Sequence, residues 1–536
     1  MSAKIGFHIL LSIFIVLPSV YVAAQGVEQY KQQARDVIAK IVDGEMEASI
    51  DEFMSYLAKH PGDLESLYGL AIVYAQQSEI EKAMEFVNQA LDGGLPFERF
   101  VAGPRNLLEP LVESAEFQEL SKRYPLTLIH GPMLGCVTEN SAKFWVRTAD
   151  EAAVQVLVKN PQNMESAIES KTVKTKKGND FTAVVSVSGI EPDTRYYYEI
   201  LVDGVKEPRQ WSFRTFPLSA SKAKFHVGFG GGAGYTPKYE RMWNTVASRN
   251  PLAFLFLGDN VYIDNPTRPA VQQYCYYRRH TRPEFRDFIS ARSVYAIWDD
   301  HDFTTNDGWG GPEIHDPSWK IPVWRLFCDN WNNPGYGGGE AQPGCWFSFS
   351  IADVDFFMLD GRYYRTDPKS ETLSMLGPVQ KAWLCEKLRL SKGTFKVLAS
   401  PVPWSFGTKP GSLDTWEGYQ DEREEIFSFI EKNRIEGVVL ISADRHRSDA
   451  WKIERPNGYR LYEFESSKLT NIHTHKIMPG ALFGYNDKCS FGFLSFDTTS
   501  PDPTVSFEII NIDNELIHKL TLKRSQLGFM VEGENG

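Results

Sequence analysis

Four strongly apolar runs in the second half of the chain each end in acid. LAFLFLG runs into Asp259, VYAIW into Asp299-Asp300-His301-Asp302, DFFML into Asp360, and GVVLISA into Asp444-Arg445-His446. Such runs, separated by amphipathic stretches at residues 378–390 and 420–432, predict buried strands of an α/β sandwich. Ligands of open α/β sheets bind outside the carboxyl ends of the strands. A single strand-end Asp is ordinarily a turn residue or a helix cap. Four such ends, two of them with a histidine, predict carboxylates delivered from separate strands to one crevice. There they would repel one another unless a cation lay between them.

The donor set consists of carboxylate oxygens and imidazoles with no cysteine nearby, which suits hard or borderline metals. Tyr262, three residues past Asp259, can point back into the same crevice, and a phenolate suits a trivalent ion. Two cations bridged by one carboxylate form a clamp that activates water and neutralises a phosphoryl group. His301, next to Asp300, is placed to protonate a leaving oxygen or to orient a phosphate. His473 and His475, in NIHTHKI, follow a loop outside the strand-end series and are read as non-ligands. His226 lies inside a strand and is read as a packing residue.

In chain order, FLFLGDNVYID, AIWDDHDFTTND, FFMLDGRYYR, LDTWEGYQDER and VVLISADRH resemble the alkaline phosphatase D (PhoD-like) metallophosphoesterases. The resemblance runs from about residue 126 to 527. It implies a calcineurin-like α/β/β/α sandwich with two metal ions and a small phosphoester substrate. It also implies that Asp259 bridges the metals and that Tyr262, Asp300, Asp444 and His446 bind them. His301 takes the slot of the catalytic histidine, and Asn306 and Arg362 resemble the polar residues that hold the substrate phosphate. Two positions depart from the pattern. Gly230 or Gly231 stands where the family carries a cysteine ligand, and Ala443 replaces a glycine. Without that soft ligand Fe3+, Ca2+, Zn2+ and Mn2+ all remain candidates. The alternative is a chain that lost its chemistry with the ligand and serves as a binding protein.

The remaining sequence divides into blocks. At roughly 150 residues per domain, 536 residues correspond to about three or four domains. Residues 1–24 read as a signal peptide: Lys4, an apolar run, Pro18, then small residues before the cleavage point. That predicts a secreted or periplasmic protein without a stable membrane span, because the run is too short to cross one. Over 27–124 the helical spacing of Leu67, Leu70, Ala71, Tyr74, Ala83, Val87 and Ala90 resembles a tetratricopeptide repeat, with Phe53 and Pro61 one period earlier. This block is read as a packing or partner surface with no chemistry. Over 126–217 the period falls to two, predicting a fibronectin type III-like β-sandwich spacer. The catalytic block runs from 224 to 527, completing a multidomain α+β chain.

Composition adds two exclusions. Acids outnumber bases 69 to 57, for a net charge of −12, which excludes nucleic acid as a general partner. The six cysteines have no C-x-x-C spacing, so a zinc ribbon is excluded and no disulfide pairing is selected.

Overall fold

The structure, a computed structural model, describes residues 34–529. The expected signal peptide lies outside the described residues. No helix among those described is long and apolar enough to cross a membrane. All six cysteines are free thiols.

The chain begins with helical residues 34–42, followed by Met46–Lys59, Leu64–Gln76 and Ile80–Asp92 and by three shorter helices ending at Ser121. Asp63 starts the central helix by accepting the Ser66 N–H at 2.9 Å. That helix is buried on almost every side. Its Gly69 is where Phe53 of the preceding helix crosses, and a Cβ there would lie 2.2 Å from the phenyl ring. The helical block packs against the chain's own C-terminal unit. Arg99 pairs with both oxygens of Glu65 at 2.8 and 3.0 Å, and Tyr274 donates to Glu65 at 2.6 Å. At the edge of this contact, Arg268 reaches Asp43 at 2.8 and 2.7 Å.

Residues 128–214 form two antiparallel sheets. Leu128–Gly135, Ser141–Thr148 and Thr182–Ser188 make one; Ala153–Asn160 and Arg195–Val202 are the centre of the other. The alternating burial of Thr182–Ser188 is what a half-buried sheet requires. This unit is anchored to the C-terminal unit by Trp145, whose indole donates to the Asp329 carbonyl at 3.0 Å, and by Tyr198, whose hydroxyl donates to the Ser290 carbonyl at 2.7 Å.

Two mixed sheets form the C-terminal unit, Lys224 to Leu527. The first orders its strands Ser293–Ile297, Ala253–Leu257, Lys224–Gly230, Ser490–Asp497, Thr504–Asn511 and Leu516–Lys523. The second runs Phe347–Ile351, Val354–Met358, Phe395–Ala399, Val438–Ser442, Leu461–Ser466, Ser448–Ile453 and Phe483–Tyr485. Their apolar faces meet through aromatic contacts, among them Phe464 on Phe507 at 4.5 Å and Phe356 on Phe496 at 6.0 Å. Helix Pro283–Ala291 covers the first sheet, where Phe288 packs on Phe254. The strands ending at Gly230, Leu257 and Ile297 are parallel neighbours, so their carboxyl ends open on one side. Val438–Ser442 ends at the same place from the second sheet: a Cβ added at Gly231 would lie 2.7 Å from the Ala443 Cβ and 3.0 Å from the Gly258 carbonyl.

Candidate active site

Beyond those strand ends the backbone turns sharply. Asp259, Tyr262, Asp264, Asp444 and His446 all have positive φ, between 48° and 73°. A left-handed conformation at a residue with a side chain costs energy and persists only where its surroundings enforce it. Asp302 enforces the first turn. Its carboxylate accepts the N–H groups of Asn260 at 2.8 and 3.0 Å and of Val261 at 3.0 Å. Burial lifts Asp302 to about 6. The result aims Asp259 and Tyr262 at one point.

Asp259 and Asp300 lie buried at the base of this point. Neither oxygen of Asp259, and not Oδ1 of Asp300, accepts a hydrogen bond among the described residues; Asp300 keeps an ion pair with Arg362 Nη2 at 3.6 Å and accepts the Asp307 N–H at 2.5 Å. Burial, with Asp300, Asp299 and Asp302 close by, pushes Asp259 far above the ordinary carboxylate range, against the pull of His301. The potential ligand atoms of Asp259, Asp300 and His301 lie within 4.8 Å of one another, and so do those of Asp300, Asp307 and Asp414. Buried carboxylate oxygens without donors fit a bound cation, since leaving them charged and unpaired is costly.

Above them opens a polar cavity of about 290 Å³, walled by Tyr262, Asp264, His301, Asn306, Asp307, Lys409, Asp444, Arg445, His446, Asn471, His473 and His475. Asn471 joins two of the expected ligands: its amide donates to the Tyr262 hydroxyl at 2.6 Å and lies 3.2 Å from His446 Nδ1. The His301 ring lies 4.6 Å from that of Tyr262, and its Nδ1 hydrogen-bonds Asp264. Of the eight residues singled out in the sequence, seven therefore lie on this wall or directly beneath it.

Arg362 is the exception. It is fully buried and does not line the cavity. Its Nε donates to Asp299 at 2.5 Å and its Nη1 to the Gly308 carbonyl at 3.0 Å. The two terminal nitrogens grip Asp414 at 2.7 and 3.3 Å. A guanidinium so occupied has no face to offer a phosphate oxygen, and the sequence expectation for Arg362 is corrected accordingly. The cations that do line the cavity include Arg445 and Lys409, the latter held by Asp307 at 2.8 Å, Asp414 at 3.0 Å and Asp444 at 3.7 Å. Asp360 also drops out of the strand-end series. Its carboxylate closes its own turn, accepting from Trp298, Cys345, Arg362 and Tyr363.

Sequence reading missed several residues. Asp264 and Asp414 stood inside quoted motifs, GDNVYID and LDTWEG, without an assigned role. Lys409 lies in a loop with no periodic signal. His473 and His475, set aside as loop residues, flank His446 with ring centres 5.1 and 5.5 Å away. The helical block, read as free of chemistry, sends Arg35 to this site. Its Nη1 donates to the Tyr262 carbonyl at 3.1 Å and pairs with Asp264.

The two-sheet core thus delivers its strand-end acids to one polar cavity. Residues 225–479 match the family model for PhoD-like phosphatase, and the chain is a phosphoester hydrolase. Residues 126–220 match a domain of unknown function, DUF7800. Alkaline phosphatase D of Bacillus subtilis (strain 168) is 23% identical over 408 residues, spanning 65% of this chain and 68% of that protein. The structure of PhoD superposes with a TM-score of 0.62 at 17% identity, covering 75% of this chain and 92% of the other. The purple acid phosphatase PPD1 of yellow lupin (Lupinus luteus) gives a TM-score of 0.54 at 11% identity, covering 74% and 75%. At these identities the two structures establish likeness of fold.

Proposed function

We propose that this chain is a secreted or periplasmic, metal-dependent hydrolase of small phosphoesters. The observation that carries the reading is the buried cluster of Asp259 and Asp300 at the floor of a polar cavity, with both oxygens of Asp259 and Oδ1 of Asp300 accepting no hydrogen bond among the described residues. Asp259, Tyr262, Asp300, Asp444 and His446 would hold two metal ions; Fe3+, Ca2+, Zn2+ and Mn2+ are the candidates. Bound there, the ions supply Lewis acidity and a water activated for attack. Asn306, Lys409 and Arg445 orient the substrate phosphate from the cavity wall. His301, its Nδ1 tied to Asp264, presents Nε2 to the leaving oxygen and protonates it. Asn471 fixes the mutual orientation of Tyr262 and His446, as outer partners of metal ligands do.

In this reading the catalytic unit spans 224–527 and the β-sandwich of 126–217 is a fibronectin type III-like spacer. The block 27–124 is tetratricopeptide-like and docks on the catalytic unit. The test is hydrolysis of an aryl phosphate monoester and diester by wild type and His301→Ala, with and without chelator. Chelation is expected to abolish turnover, and His301→Ala to reduce it by about a hundredfold or more. Turnover indifferent to both treatments would overturn the mechanism.

A further inference from the structure

Asp264 has its two carboxylate oxygens committed to two different partners. One accepts from His301 Nδ1, and the other is paired with Arg35 Nη1. The backbone joins the same residues, because the N–H groups of Ile263 and Asp264 both donate to the His301 carbonyl, at 2.7 and 3.0 Å. Arg35 is nine-tenths buried, and its Nη1 also reaches the Tyr262 carbonyl at 3.1 Å. A carboxylate held at one oxygen alone can swing about its terminal torsion, and the imidazole it orients swings with it. Held at both oxygens it cannot. A guanidinium suits this task because its planar fork keeps several donors in fixed relation.

We infer that Arg35, contributed by the N-terminal helical block, is a positioning residue for the hydrolytic reaction: through Asp264 it fixes the direction in which His301 presents its proton. The inference rests on the general-acid role of His301 proposed above. It gives the helical block a place inside the active site, since the segment that carries Arg35 is the same one that Arg268 fastens through Asp43. The two contacts differ in kind. Arg268 and Asp43 are both substantially exposed and touch nothing in the cavity, so that pair secures docking alone.

This difference supplies the control. A misdirected general acid matters most when the departing alkoxide is a strong base, and little when a nitrophenolate leaves unaided. Full-length wild type, Arg35→Met, Arg35→Lys, Asp43→Asn and His301→Ala are compared on p-nitrophenyl phosphate and on glycerol phosphate, with metal content and melting temperature measured for each. Arg35→Met is expected to lose kcat about tenfold more on glycerol phosphate than on the nitrophenyl ester, with KM, metal content and melting temperature near wild type. Arg35→Lys should recover part of that loss, and Asp43→Asn should match wild type on both esters. Equal loss on the two esters, or none, while His301→Ala shows the leaving-group dependence, would overturn the role of Arg35. Absence of that dependence in His301→Ala would remove the general-acid reading and the inference with it. If Arg35→Met does not fold, the same ratio measured on Arg35→Lys decides the question.

Discussion

Arg362 and Lys409 show how far residue identity alone can mislead. Both are cations among acids, but only one faces the cavity. Arg362 is enclosed by Asp299 and Asp414, so its removal leaves buried Asp299 without its cation and leaves Asp414 only Arg365 and Lys409. Arg362→Met is expected to destabilise the fold by about 3–5 kcal/mol, read from the urea midpoint. Arg362→Lys should restore little of that, since one ammonium cannot replace the fork. An Arg362→Met enzyme of normal stability but raised KM would return the residue to the substrate. The acids at strand ends were legible in the sequence because each follows an apolar run, and Asp259, Asp300 and Asp444 do converge. Which arginine is spent on them was not legible. That depends on Asp414, more than fifty residues further along, closing over Arg362 and Arg365.

At the scale of elements, the strands were readable for a simple reason. A strand buried on both faces carries an unbroken apolar run, and Ala253–Leu257, Ser293–Ile297 and Val438–Ser442 are such strands. The helices of the N-terminal block announced themselves by spacing as well, but spacing says nothing about what a helical face rests on. Leu64–Gln76 is enclosed by its neighbours, and Glu65 at its start is consumed by Arg99 and Tyr274. Gly69 is the closest crossing. Gly69→Ala would force the Phe53 ring aside and should cost about 1–3 kcal/mol, even though alanine favours helix. Shortening Phe53 to leucine in the same chain should recover part of the loss. Chemical denaturation of the two single variants and the double variant measures the coupling, and simple additivity would contradict the crossing.

For the whole molecule, acidity and metal binding are linked. The chain carries a net charge of −12, and part of that excess is gathered beneath one cavity. A ligand that binds only the folded state stabilises it by mass action, by about 2.7 kcal/mol at a hundred times its dissociation constant. Exhaustive chelation is therefore expected to lower the melting temperature and restoring metal to raise it. Asp259→Asn should be less sensitive to chelator than wild type. A melting temperature unmoved by chelation would mean that the floor of the cavity is stable without a cation. The joining of the three units was the part hidden from sequence. Contacts such as Trp145 to Asp329, Tyr198 to Ser290 and Arg35 to Asp264 link residues far apart in the chain and leave no periodic trace.

Gly231 and Ala443 looked in the sequence like two unrelated departures from a family pattern, yet they occupy one space. A Cβ at 231 would sit 2.7 Å from that of Ala443 and 3.0 Å from the Gly258 carbonyl oxygen, so the strand ends would have to shift to admit one. Gly231→Cys would therefore crowd the Ala443 methyl and the Gly258 carbonyl at once. Packing at these strand ends, as well as charge, limits which donor atoms the site can recruit.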